Sequence, residues 1–178
     1  MLFRSPGLKR LVEAVHEHGG KIALQLVHGG MQTGKANTGR APLGPSGGLR
    51  NPMTLEKCRE MTPDQIEETI QAFAQGARRA AETGADAVQI HGAHGYLISE
   101  FLSPFFNQRQ DEWGGSDERR FGLVKAVIQE TRKAVPEDLP ILIKLNTNDF
   151  TPKQGVTPHL AGTYAGWLRD MGIDGVEL

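Results

Sequence analysis

The sequence predicts an α/β fold, specifically a partial TIM (β/α)8 barrel of four parallel strands with intervening helices, and three observations carry that expectation. Segments with apolar residues at helical spacing alternate with short apolar runs of strand length. The connections between those runs are far too long for hairpins, so the strands must pair in parallel through right-handed crossovers. No strand pattern is followed by a G-x-G-x-x-G glycine fingerprint, which weakens the rival fold, a small open doubly wound sheet. A complete barrel takes roughly 250 residues. The 178 residues therefore read as one partial barrel domain, 1–178, with the barrel's first and last strands absent.

Each element has its own local reason. Leu8, Leu11, Val12 and Val15 recur at helical spacing, and Gly19-Gly20 ends that helix. Lys21 to Val27 reads as a buried strand. From His28 to Glu60 the chain is rich in Gly, Pro, Asn and Thr, which predicts a long loop with room for a short hairpin. Thr62-Pro63-Asp64-Gln65 is a capping box with proline at the first helical position. Ile66, Ile70, Phe73, Ala77 and Ala80 form the apolar stripe of the helix it opens. Asp86 to His91 is the second strand, and Gly92 to about Ser116 a second long loop. Asp117 opens a helix with Phe121, Val124, Ile128 and Thr131 on one side. Pro140 to Leu145 is the third strand, followed by a loop to Val156. Leu160, Tyr164, Trp167 and Met171 stripe the last helix, and Asp174 to Leu178 begins a fourth strand.

Composition narrows the function. A net charge of −1 gives no electrostatic reason for nucleic acid or an anionic membrane as partner. No apolar run approaches the roughly 20 residues of a membrane span, and the N-terminus lacks a signal-peptide pattern. Cys58 is the only cysteine, so no internal disulfide can form, and a reducing cytoplasmic setting is the expectation.

Strand parity locates the chemistry. Side chains alternate across a strand, so Ile22, Leu24 and Leu26 share one face and Ala23 and Gln25 the other. Val88 and Ile90 likewise oppose Ala87, Gln89 and His91. Ile141, Ile143 and Leu145 oppose Leu142, Lys144 and Asn146, and Val176 and Leu178 oppose Gly175 and Glu177. Each strand thus has one apolar face for helices and one face with a polar group near its C-terminal end. Parallel neighbours lie about 4.8 Å apart, so Gln25, His91 and Lys144 are expected to converge on one ligand. His91, His94 and Tyr96 follow within six residues on a glycine-flexible turn, which suits gripping a substrate oxygen and delivering a proton beside it.

These residues also match a family. Gln25-Leu26-Val27-His28-Gly29-Gly30 resembles the Gln-Leu-x-His-x-Gly strand of the Old Yellow Enzyme family of flavin-dependent ene-reductases. The stretch from Ile90 through His91-Gly92-Ala93-His94-Gly95-Tyr96 to Ser103-Pro104 looks like that family's most diagnostic segment. So do its continuations, Asn107-Gln108-Arg109, Asp111 to Ser116 and Arg119-Arg120-Phe121. The likeness runs over essentially the whole chain, in register with the third to sixth barrel strands. It implies an FMN-dependent NAD(P)H oxidoreductase, with NADH or NADPH as reductant and a small activated alkene as substrate. By position, Gln25 and Lys144 would bind the flavin, with His91 beside it. His91, His94 and Tyr96 would bind substrate, and Tyr96 would be the proton donor. Glu177 falls near the flavin-facing end of the sixth strand without an implied role. In the resemblance, hydride leaves flavin N5 for the β-carbon, charge builds on the substrate oxygen, and two imidazoles stabilise it. A phenol is protonated at neutral pH and can supply the α-carbon proton. Lys144 stands where the family usually has arginine; a lysine is a point charge without the bidentate fork, so redox tuning is expected to differ more than binding.

Blander readings stand beside these. A lone strand-end histidine is as often structural as functional, and it is the grouping with His94 and Tyr96 that raises His91. His91-x-x-His94 with Glu100 as third ligand suggests a metal only weakly, since the turn is glycine-rich and no further acid or thiol cluster supports it, so no metal is expected. Lys144 at a strand end fits a Schiff-base aldolase barrel. Asn107, Arg109 and Asp111 read as loop-ordering groups, and Trp113 and Trp167 as packing. A partial barrel exposes two strand edges and an apolar face, so a non-catalytic, self-associating segment is the rival from outside enzymology, and a homo-oligomer is the expected state.

Overall fold

The computed structural model describes residues 5–51 and 54–178. The first four residues of the expected domain, and Pro52 and Met53 in its long loop, lie outside the described residues. Helix α1 (Ser5–Glu17) leads into strand β1 (Ala23–Leu26), and a loop region carries a 3-10 turn (Gly30–Gln32), α2 (Lys35–Thr38), β2 (Leu43–Gly44) and β3 (Arg59–Glu60). Then follow α3 (Pro63–Glu82), β4 (Ala87–Gly92), α4 (Leu97–Leu102), α5 (Asp117–Arg120) and α6 (Gly122–Ala134). The chain closes with β5 (Ile141–Leu145), α7 (Pro158–Asp170) and β6 (Gly175–Glu177). The capping box forms as its residues dictate: Gln65 N–H donates to Thr62 Oγ1, and Thr62 N–H donates to Gln65 Oε1.

The main sheet has the order β1-β4-β5-β6, every pair parallel. Sheet order follows chain order without reversal, which is the winding of a barrel; a doubly wound sheet reverses direction at a switch point. The faces agree with that. Val88, Ile90, Ile141 and Ile143 are fully buried and join a core with Ile66, Ile70, Phe73 and Ala77 of α3, Leu123, Val124, Val127 and Ile128 of α6, and Tyr164 and Leu168 of α7. The helices therefore cover one face only, and the other is left for the barrel interior. At the base of α7, the rings of Phe121, Tyr164 and Trp167 pack together, and the Tyr164 hydroxyl donates to the Leu102 carbonyl at 2.9 Å.

Two helix-to-strand turns repeat one device. Gly84-Ala85-Asp86 and Gly172-Ile173-Asp174 each begin with a glycine in the left-handed region, at φ 85° and 76°. Each ends on an aspartate that reaches the preceding strand. Asp86 accepts the Ile22 N–H at 2.9 Å and is held by His16 and Lys21; Asp174 accepts the Ile141 N–H at 2.8 Å and is held by Arg132.

Three sequence expectations change in detail. The hairpin expected in the first loop is an antiparallel bridge between Arg50 and Lys57, while β2 and β3 pair in parallel. The loop expected from Gly92 to Ser116 contains α4, a helix with every residue buried. The helix opens at Asp117 as expected, with the Ser116 hydroxyl accepting the Arg119 N–H as its cap, but it divides at Phe121 into α5 and α6.

Candidate functional site

The ladder registers decide which side chains meet. Gln25 pairs with Gln89, and His91 pairs with Lys144, which pairs in turn with Glu177. All five sit on the helix-free face, as parity predicts. Gln25 donates to Gln89 Oε1 at 2.6 Å, Gln89 donates to Glu177 Oε2 at 2.8 Å, and Lys144 Nζ lies 2.7 Å from Glu177 Oε1. Four strands are thus crossed by one row of polar contacts. The Lys144 ammonium, and then the Gln89 amide, hold the Glu177 carboxyl below its ordinary range.

His91 closes that row at the strand end. Its ring stands edge-on to His94 at 5.0 Å and to Tyr96 at 4.9 Å between centroids. Burial, then the charges of His94 and Lys144, push the His91 imidazole below its ordinary value, so it is neutral at pH 7. Nδ1 accepts the Ala93 N–H at 3.3 Å, which leaves the proton on Nε2. His94 has φ 62° and Gly95 φ 70°, two left-handed residues in succession, and this reversal brings the rings of both His94 and Tyr96 against His91. Tyr96 is the N-cap of α4, so the phenol stands where the helix begins.

The loops beneath are held by buried polar groups. The Arg109 guanidinium donates to the carbonyls of Pro45 and Met61 and pairs with Asp111, and Asn107 donates to the carbonyls of Phe101 and Trp113. Both order the loop, as their sequence context suggests. Glu100 is completely buried: Oε1 accepts the Met31 N–H at 2.7 Å, and Oε2 has no hydrogen-bond partner among the described residues. Desolvation pushes its carboxyl up to about 8. A Cβ on Gly30 would lie 2.5 Å from Glu100 Oε1, so the 3-10 turn can approach the carboxyl only through glycine. Among the described residues no cluster of three His, Cys, Asp or Glu could hold a metal, and no helix is long and apolar enough to cross a membrane.

Every residue expected in the site therefore lies in one region: Gln25 and Lys144 along the row, His91 at its end, His94 and Tyr96 on the turn above. Sequence reasoning left Gln89, Asn146 and Glu177 without a role although parity had put them on that face. It missed Gln32 and Ser99, whose contacts with the His94-Gly95 turn leave no local pattern.

Parallel strands wound in chain order, with helices on one face and an uninterrupted polar row on the other, define a segment of a β/α-barrel enzyme whose chemistry sits at the strand ends. Residues 4–176 match the NADH:flavin oxidoreductase / NADH oxidase family, and the chain belongs to it. The chain is 42% identical over 172 residues to an NADPH dehydrogenase of Geobacillus sp. (strain WCH70), an alignment covering 97% of this chain and 48% of that protein. A 2-naphthoyl-CoA reductase in complex with 2-naphthoyl-CoA superposes with a TM-score of 0.90 at 31% identity, over 99% of this chain and 29% of that one. The Old Yellow Enzyme homologue of Zymomonas mobilis gives 0.87 at 28% identity, over 99% and 52%. The chain spans about half the length of the curated relatives it matches.

Proposed function

We propose that this chain supplies the flavin-facing strands and the substrate-gripping turn of an FMN-dependent NAD(P)H oxidoreductase that reduces activated C=C bonds. The observation that carries the reading is the His91–His94–Tyr96 ring cluster, set at the end of the same face that bears Gln25 and Lys144.

The donor set suits a flavin. An isoalloxazine presents carbonyl and ring-nitrogen acceptors along one edge, and Gln25, Gln89 and Lys144 offer amide and ammonium N–H groups from three adjacent strands. Gln25 and Lys144 would hold the pyrimidine side, with the Lys144 charge favouring the reduced, anionic ring. When bound, FMN supplies the hydride. The protein's part is placement and proton management. Neutral His91, with Nε2–H pointing away from its backbone contact, donates to the substrate oxygen together with His94. Two donors fixed before charge develops on that oxygen stabilise the transition state more than the ground state. Tyr96, held at the start of α4, gives its phenolic proton to the substrate carbon. Lys144 is engaged by Glu177 rather than free to attack a carbonyl, which speaks against the Schiff-base alternative.

The test separates the two half-reactions. Tyr96→Phe is expected to leave flavin reduction by NADPH unchanged and to slow reduction of a small cyclic enone by roughly 100-fold or more, the usual contribution of a general acid. Equal slowing of both half-reactions removes Tyr96 from the proton-donor role.

A further inference from the structure

The turn that carries His94 and Tyr96 is gripped by side chains from three separate segments. The His94 N–H donates to Asn146 Oδ1 at 2.9 Å, the Gly95 N–H donates to Ser99 Oγ at 3.3 Å, and Gln32 donates its amide to the His94 carbonyl. Such bracing has a physical reason. A histidine at φ 62° sits in a left-handed conformation disfavoured for a residue with a Cβ, which persists only where the surroundings over-determine it. Asn146 is itself oriented. Its Nδ2 donates to Ser99 Oγ at 3.2 Å and to Asp149 Oδ1 at 3.0 Å, which fixes Oδ1 as the face turned to His94. Asp149 is pinned in turn by the Val156 N–H at 2.8 Å. A continuous line of bonds therefore runs from the loop before α7 through Asp149 and Asn146 to the backbone of His94.

We infer that Asn146 is a positioning residue for substrate binding: by holding the His94 peptide in its left-handed conformation, it sets where the His94 ring stands relative to His91. The inference rests on the oxygen-gripping role proposed for His94. Asn146 lies two residues past Lys144, so one short segment of β5 and its loop serves both the cofactor face and the substrate grip.

A double-mutant cycle on the purified flavoprotein tests it, with affinity for a simple phenol read from the flavin absorbance and thermal melting as the control for folding. Asn146→Ala is expected to weaken phenol binding about fivefold, the loss of one net hydrogen bond, with NADPH-driven flavin reduction unchanged. In a His94→Ala background the same substitution is expected to cause no further loss, because Asn146 acts through His94. An undiminished phenol affinity in Asn146→Ala beside a weakened one in His94→Ala overturns the positioning role and leaves the oxygen grip standing. Equal losses in both backgrounds also overturn it, since Asn146 would then act through the fold. Unchanged affinity in His94→Ala removes the oxygen grip and the inference with it. Asn146→Asp, the same size and still an acceptor for the His94 N–H, runs the same cycle if the alanine variant fails to fold, with a smaller loss expected and the same outcomes decisive.

Discussion

Replacing Glu100 by glutamine probes the buried carboxyl directly. In the folded chain its carboxyl is pushed up to about 8 by desolvation, against an ordinary value of 4.5. A raised folded-state value means that the folded chain keeps a proton that the unfolded chain has released. The stability this group allows is thus intact below about 4.5, falls as pH rises, and levels off above about 8. At 1.36 kcal/mol per pH unit, tapering where the folded carboxyl itself begins to ionise, the loss between pH 6 and pH 8 is about 2 kcal/mol. Glutamine fills the same volume, keeps an oxygen for the Met31 N–H and does not titrate, so Glu100→Gln should lose only the background common to both proteins over that interval. Cys58 adds nothing there, because burial and the neighbouring Glu100 push its thiol up to about 12. The assay is urea unfolding of both proteins at pH 6 and pH 8, compared as the change in unfolding free energy. Parallel declines in the two proteins would refute the assignment of a protonated, buried Glu100.

Two further substitutions test other levels of the account. Thr62→Ala removes the hydroxyl that accepts the Gln65 N–H at the start of α3 and should cost about 1 kcal/mol, or roughly 2–4 °C in melting temperature; an unchanged melt would mean the capping box contributes nothing. His91→Ala should weaken binding of a phenol over the flavin while leaving the protein folded, because the ring's edge contacts are with His94 and Tyr96 rather than with the apolar core; an identical titration curve would take His91 out of the oxygen grip.

What could be read from the sequence followed from simple periodicities. Alternation in Ile141-Leu142-Ile143-Lys144-Leu145 fixed the apolar and polar faces of β5, and the same logic placed Gln25, His91 and Glu177 correctly. The capping box marked the start of α3 to the residue. Helix α4 escaped because it is only six residues long, under two turns: Leu97, Ile98, Phe101 and Leu102 fall at helical spacing, but the run is too short to stand out from a loop, and its polar pair Ser99-Glu100 is buried with the rest. From the sequence Glu100 reads only as a weak third metal ligand, because nothing local shows that the 3-10 turn and β2 close over it. Asn146 was placed on the correct face, but its bond to His94 spans 52 positions in the chain and leaves no trace in spacing. The pairing of Lys144 with Glu177 is a fact of register, visible only once β5 and β6 are laid side by side.

The paired Gly-x-Asp turns at the floor of the sheet bear on this last point. Asp86 and Asp174 each hook sideways onto a main-chain amide of the adjoining strand, at the end remote from the histidines. A lengthwise slip of a single residue would break the hook and turn every inward side chain outward. The carboxylates at the bottom therefore act as alignment pins for the top: they dictate that an amide, an imidazole and an ammonium look into the lumen. The rim loops are left at liberty to differ in length and composition without scrambling that alignment.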